Sequence, residues 1–60
     1  MAIKLIRSEW HPEIGRVKEF ICDTKDDVAN LPKCVPSSAA LVADGGAVYI
    51  VNASGELVEL

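Results

Sequence analysis

Aromatic residues, histidine and cysteine are scarce in this chain of 60 residues, which has one each of Trp, Tyr, Phe and His and two Cys. His11, Cys22 and Cys34 fall short of the four ligands of a structural zinc site and contain no Cys-x₂-Cys pair. A cysteine nucleophile needs a neighbour that lowers the pKa of its thiol, and Cys22 falls in a predicted strand without one. We therefore expect no catalytic residue, no cofactor and no metal, and two free thiols.

Positive charge and long apolar runs are lacking as well. Six Lys and Arg stand against nine Asp and Glu, for a net charge of −3, and the six cations are scattered along the chain. This pattern argues against a nucleic-acid partner. No apolar stretch approaches the ~20 residues that cross a bilayer, and the first ten residues turn polar too early for a signal peptide. We therefore expect no membrane association and a cytoplasmic site of synthesis.

Half of the residues are hydrophobic and a quarter are charged, a composition typical of a globular domain. A chain this short buries only about 60% of the surface that its unfolded form exposes, so a roomy active-site cleft is not expected. We predict one small domain over residues 1–60. Its N-terminal strands or arm span residues 1–23, and a short helix with a β-meander spans residues 24–60.

The predicted fold is mainly β, a small antiparallel sheet with one short helix. Alternating side chains predict strands at 2–6 and 16–22, with a loop or an irregular edge between them that contains Trp10. Thr24 as N-cap and Pro32 as terminator predict the helix, with acidic residues in its first turn. Strands at 39–43, 47–51 and 56–60 form the meander. Its turns are a two-residue primed turn at Gly45-Gly46 and a type I turn at 52–55.

The run 47–51, AVYIV, does not alternate and therefore offers apolar side chains to both faces of the sheet. One face has the core, and the other needs cover from a partner surface, most simply another copy of the chain. The alternative is that the N-terminal strands fold back over that face. Trp10 and Tyr49 belong either to the core or to an interface. Glu59 is expected to be solvent-exposed and of little structural consequence. The candidate interface residues are Trp10, Val48, Tyr49, Ile50, Val51, Leu57 and Leu60.

Residues 24–60 contain a pattern of the form D…LP…P-G/S-S-x-A-x-V…G-x-V-Y-I-x-N…G-E. The positions that carry it are Asp27, Leu31, Pro32, Pro36, Ser37, Ser38, Ala40, Val42, Gly46, Val48, Tyr49, Ile50, Asn52, Gly55 and Glu56. On these residues the chain resembles short proteins encoded by tailed phages and prophages of Gram-positive bacteria, many of them encoded near capsid and portal genes. Leu57 stands where an aromatic residue is expected in that pattern.

The resemblance implies a virion-associated structural protein, such as a capsid decoration or a head-fibre-base piece, without catalytic residues. The apolar run at 47–51 predicts further copies of the chain as partners, with a trimer among the forms considered, and the resemblance implies the phage capsid or another virion protein as a partner. The implied location is the virion, after synthesis in the cytoplasm of a bacterial host. The alternative is a small phage-encoded inhibitor that binds a host or defence protein, since such proteins are also small, acidic and devoted to binding.

Overall fold

The structure is a computed structural model that describes residues 2–60; Met1, which the single-domain prediction includes, lies outside them. Five strands form one mixed sheet, and one short 3-10 helix lies in the connection between the second and third strands. The elements are β1 Ile3–His11, β2 Gly15–Cys22, the 3-10 helix Lys25–Asn30, β3 Ala39–Val42, β4 Val48–Val51 and β5 Leu57–Glu59. The prediction of a mainly β fold with one short helix is confirmed.

The strand order in the sheet follows the chain, β1-β2-β3-β4-β5. Every neighbouring pair is antiparallel except β2 and β3, which pair in parallel over Glu19–Cys22 and Ala39–Val42. This pair departs from the predicted antiparallel sheet. A parallel pair needs a crossover of a dozen or more residues, and residues 23–38 supply one. We call this segment the crossover.

The β1–β2 hairpin is longer than predicted, since β1 continues through Trp10 to His11. A β-bulge between Leu5 and Arg7 shifts its register. β3 pairs only with the last four residues of β2, so the outer half of the hairpin is a two-stranded ribbon. The ribbon gives the molecule an elongated form, with extents of 33 × 20 × 17 Å.

The core lies on one face of the sheet, under the crossover. Its buried cluster comprises Phe20, Cys22, Ala40, Val42 and Tyr49. From the crossover, Val28, Leu31 and Cys34 pack against this cluster. Burial of one large apolar side chain contributes about 1.5–3 kcal/mol, so these few contacts supply much of the stability of so small a domain.

Two buried polar side chains fix the crossover to the N-terminal hairpin. Asp27 is 3% exposed, and its Oδ2 accepts the backbone N–H of Thr24 at 3.2 Å and that of Ala2 at 3.4 Å. Ser38 is also buried, and its Oγ accepts the N–H of Lys18 at 3.1 Å. Asp27, one of the acidic residues predicted in the first turn, therefore caps the helix and in addition holds the start of β1.

The two turns of the meander differ in how well the sequence predicts them. Gly45 and Gly46 have positive φ values of 90° and 72°, as a primed turn requires. The predicted two-residue turn is nevertheless wrong, because the N–H of Val42 donates to the carbonyl of Ala47 at 2.8 Å and leaves a four-residue loop. Residues 43 and 44 continue the parallel ladder beside β2 instead of pairing with β4.

The turn at 52–55 is confirmed. The N–H of Gly55, whose φ is 83°, donates to the carbonyl of Asn52 at 2.9 Å. The Asn52 side chain adds to this closure, since its Oδ1 accepts the N–H groups of Ser54 and Glu56 at 3.0 Å each. The turn therefore fixes the register with which β5 returns along β4.

Candidate functional site: the open sheet face

The face of the sheet opposite the core is built from two rows of side chains that cross the strands. Because successive side chains alternate between faces, residues paired across neighbouring strands share a face. One row consists of Lys4, Ile21, Leu41 and Val48. The other row consists of Arg7, Glu19, Ala39, Ile50 and Val58. We call the apolar part of these rows, Ile21, Ala39, Leu41, Val48, Ile50 and Val58, the open face.

The open face retains substantial contact with solvent. Leu41, near its centre, is 43% exposed, Val58 is exposed to a similar extent, and Ile21, Val48 and Ile50 are half-buried. The alternative that the N-terminal strands cover this face is wrong, because β1 pairs with the edge of β2 within the sheet. Val28, Leu31 and Cys34 of the crossover pack on the opposite side.

Charged side chains border the open face on the side of β1. Arg7 reaches Glu9 and Glu19 with nitrogen–oxygen distances of 3.2 Å each, and Lys4 lies in the next row. These ion pairs are exposed and contribute little to stability. The arrangement of an apolar centre beside a charged border is typical of a protein–protein interface.

The structure separates the seven residues that the sequence singles out as interface candidates. Val48 and Ile50 lie on the open face, whereas Tyr49 and Val51 are buried on the core side and present no side chain to a partner. Trp10 is 63% exposed on the ribbon, outside the core. Leu57 is exposed at the edge of a groove on the core side, and Leu60 is exposed beyond the end of β5.

Sequence reasoning missed Ile21, Leu41 and Val58 as members of the same surface. A signal for Leu41 was present, because the run AALVA at 39–43 is as free of alternation as the run at 47–51. Ile21 and Val58 had no comparable signal, since each lies in a strand that contains charged residues. Only the pairing register brings them beside Leu41 and Ile50.

The groove on the core side is too small for a sizeable substrate. Its volume is about 150 Å³, whereas ligand pockets typically have about 300–1,000 Å³. It lies between the crossover and the sheet, with Phe20, Leu31, Cys34 and Leu57 among its walls. The Cys34 thiol donates to the carbonyl of Pro32 at 3.2 Å. The groove is therefore a mainly apolar recess, with Lys33, the Ser38 hydroxyl and the Cys34 thiol as its polar side chains.

The surroundings of Cys22 disfavour its reactive form. Cys22 and Cys34 are both free thiols. Burial raises the pKa of the Cys22 thiol, and the negative charges of Asp27 and Asp23 act in the same direction, so its nucleophilic thiolate form is disfavoured. Among residues 2–60, no three His, Cys, Asp or Glu side chains are grouped closely enough to hold a metal ion.

Comparison with known proteins adds no relative. A scan against protein-family models and searches of curated proteins and of solved structures found no match to this chain. No helix within residues 2–60 has the length and apolar character that crossing a membrane requires. The function must therefore be argued from the surfaces themselves.

Proposed function

We propose that the chain is a non-enzymatic structural protein of a phage particle, which associates with the capsid or head fibre and assembles with copies of itself. The observation that carries this proposal is the open face. Full burial of a Val, Leu or Ile side chain contributes about 1.5–3 kcal/mol, and five such residues on this face are only partly covered. Covering them therefore offers several kcal/mol to a domain whose own stability is on the order of 5 kcal/mol.

A second copy of the chain is the simplest cover for this face. A patch that meets itself about a two-fold axis needs only to be apolar at its centre, with charges of both signs at its border. The open face has both features, since Leu41 and Ile50 lie inside it while Lys4, Arg7 and Glu19 lie at the β1 side. The resemblance of residues 24–60 to phage proteins supports the assignment of this assembly to a virion.

Quantitative mass spectrometry of purified phage particles tests the proposal. We expect the wild-type chain to be present in many copies and to stay with intact particles through a density gradient. Leu41→Lys, which places a charge in the open face, should be depleted from particles. The matched control is Leu5→Lys, at a position 49% exposed that pairs with the core residue Phe20 on the side away from the open face, which should be retained. Absence of the wild-type chain from intact particles would overturn the proposal.

The second candidate is a small phage-encoded inhibitor of a host or defence protein. The observation that favours it is Trp10, a residue type enriched at binding hot spots and here largely exposed on a projecting ribbon. An inhibitor would remain in the soluble fraction of the lysate, in complex with its target. The same gradient therefore distinguishes the two functions.

A further inference from the structure

A second surface lies on the ribbon, on the core side of the sheet. The cross-strand pairs Ser8–Lys18 and Trp10–Arg16 share that side, because residues 16 and 18 of β2 alternate in step with the core residues Phe20 and Cys22. The crossover packs against Phe20 and Cys22 but leaves Trp10 and Arg16 exposed. We call Ser8, Trp10, Arg16 and Lys18 the ribbon underside.

Internal contacts hold the ribbon underside in a defined arrangement. Nη1 of Arg16 donates to Oγ of Ser8 at 3.2 Å, and the guanidinium carbon of Arg16 lies 6.0 Å from the centre of the Trp10 ring. The carboxylates of Glu9 and Glu19 belong to the opposite side of the ribbon, where they pair with Arg7. The underside therefore combines an exposed aromatic ring with two cations that have no carboxylate among them.

The other end of the sheet is acidic. Because β2 and β3 are parallel, Asp23 and Asp44 follow their strands at the same end, and the N–H of Asp44 donates to the carbonyl of Asp23 at 3.2 Å. Asp26 lies nearby in the first turn of the 3-10 helix. All three side chains are exposed. We call Asp23, Asp26 and Asp44 the acidic end.

Two lysines near the acidic end do not neutralise it. Nζ of Lys25 lies 3.3 Å from a carboxylate oxygen of Glu59 on β5. Lys4 is paired with Ile21, and none of the ion pairs among residues 2–60 joins it to Asp23, Asp26 or Asp44. The asymmetry extends to the whole chain: residues 3–22 contain four Lys and Arg and three Glu, whereas residues 23–60 contain two Lys and six Asp and Glu.

The two surfaces are too far apart to interact within one molecule. Lys18, the cation of the ribbon underside nearest to Asp23 along β2, is five residues of extended chain away, which at about 3.3 Å per residue amounts to roughly 17 Å. Charges in water at physiological ionic strength are screened over about 8 Å. The opposite charges of the ribbon underside and the acidic end can therefore meet only when two molecules bind each other.

We propose that the ribbon underside of one copy binds the acidic end of a second copy, head to tail. Arg16 and Lys18 pair with carboxylates of the second copy, and Trp10 buries its ring at the same contact. This contact rests on the proposed self-assembly but uses surfaces other than the open face. Because the two surfaces of this contact differ, a bound pair still has one free ribbon underside and one free acidic end. Association therefore continues until a ring closes or a filament forms.

The test uses sedimentation velocity on a Leu41→Lys background, in which the open face is blocked. We expect this parent to associate at low salt and to dissociate as salt rises, with a dissociation constant about tenfold or more higher at 300 mM NaCl than at 20 mM. Adding Arg16→Glu, or separately Asp44→Lys, should give monomers. An equimolar mixture of these two variants should associate again, because each retains one intact surface and the two reversed charges also complement each other.

The matched control is Lys33→Glu, the same type of charge change at an exposed position outside both surfaces, which should associate like the parent. Arg16 and Asp44 are exposed, so circular dichroism and melting curves should show folded variants. A monomeric parent at low salt, a single variant that associates like the parent, or a mixture that stays monomeric would each overturn the head-to-tail contact. None of these results tests association through the open face, which is measured separately in chains whose ribbon underside is unaltered.

Discussion

The hydroxyl group of Tyr49 donates a hydrogen bond to Oε1 of Glu59 at 3.2 Å and thereby ties the last strand to the core. The same oxygen lies 3.3 Å from Nζ of Lys25 on the 3-10 helix. The hydrogen bond that Lys25 makes to Glu59, together with the negative charge of Glu59, raises the pKa of Lys25. Glu59 is exposed, as expected from the sequence, but it joins β5, β4 and the helix and so has a structural role that the sequence did not suggest.

Glu59→Ala is therefore expected to lower the free energy of unfolding by about 1 kcal/mol, because the buried Tyr49 loses its acceptor. The exposed ion pair with Lys25 adds little to this value. Urea denaturation measures the effect, and Glu56→Ala, at an exposed position on the same chain segment, is the control. In a Tyr49→Phe background the cost of Glu59→Ala should largely vanish; an equal cost in both backgrounds would show that the hydrogen bond contributes nothing.

Asp27 is expected to be the most sensitive acidic residue of the chain. Asp27→Ala leaves the N–H groups of Ala2 and Thr24 without their acceptor, and we expect a loss of about 1–3 kcal/mol in the free energy of unfolding. The adjacent Asp26 is exposed, so Asp26→Ala should change stability by no more than about 0.5 kcal/mol. Chemical denaturation of both variants decides the matter, and equal losses would contradict the assigned role.

Substitutions at two adjacent serines, Ser37 and Ser38, are expected to change the free energy of unfolding in opposite directions. Ser37 has a φ of 76° at the third position of the turn 35–38, which the N–H of Ser38 closes onto the carbonyl of Val35 at 3.2 Å. This position favours glycine, as the G/S alternative of the phage pattern suggests. Ser37→Gly relieves about 1–2 kcal/mol of backbone strain and costs about 0.5–1 kcal/mol of chain entropy, so a gain of up to about 1 kcal/mol is expected.

Ser38→Ala is the contrasting variant. It removes the buried Oγ that accepts the N–H of Lys18, and we expect a loss of about 1–3 kcal/mol. Thermal melting of both variants under identical conditions gives the comparison. A destabilised Ser37→Gly together with an unchanged Ser38→Ala would show that the turn geometry is misassigned.

The two thiols are expected to differ in reactivity. At pH 8, a thiol reagent should modify the half-buried Cys34 quickly and the buried Cys22 slowly, with two thiols counted after denaturation. The raised pKa of Cys22 also makes stability depend on pH. Its contribution is complete below the pKa of the unfolded thiol, about 8.5, and is lost as the pH rises from there through the folded pKa.

Urea midpoints measured between pH 7 and pH 10 test the predicted direction of this pH dependence. Stability should decline at the alkaline end, and the decline should be smaller in Cys22→Val, which lacks the ionisable group. Equal modification rates for the two thiols in the folded chain would contradict the burial of Cys22.

The sequence predicted local structure better than long-range pairing. Alternation at 16–22 and the turn residues at 52–55 identified β2 and the β4–β5 hairpin, because those signals are local. The length of β1 was missed because Pro12, read as part of a longer loop, lies within the turn that follows His11. The parallel pairing of β2 with β3 depends on how the crossover packs, and no local pattern encodes it.

The same limit applies to the candidate site. The run at 47–51 predicted a second apolar face, and Val48 and Ile50 indeed lie on the face opposite the core. Their neighbours Ile21 and Val58 could not be predicted without the strand order. Trp10 and Tyr49 were equivalent in the sequence, and packing separates them, one exposed on the ribbon and the other buried with its hydroxyl bound to Glu59.

The oligomeric mass of the purified chain tests the central claim most directly. Sedimentation equilibrium in 300 mM NaCl, where the head-to-tail contact is screened, isolates association through the open face. We expect wild type and Leu5→Lys to form oligomers at tens of micromolar, and Leu41→Lys to remain a folded monomer. A wild-type chain that is strictly monomeric under these conditions, or a Leu41→Lys variant that associates as strongly as wild type, would contradict the account.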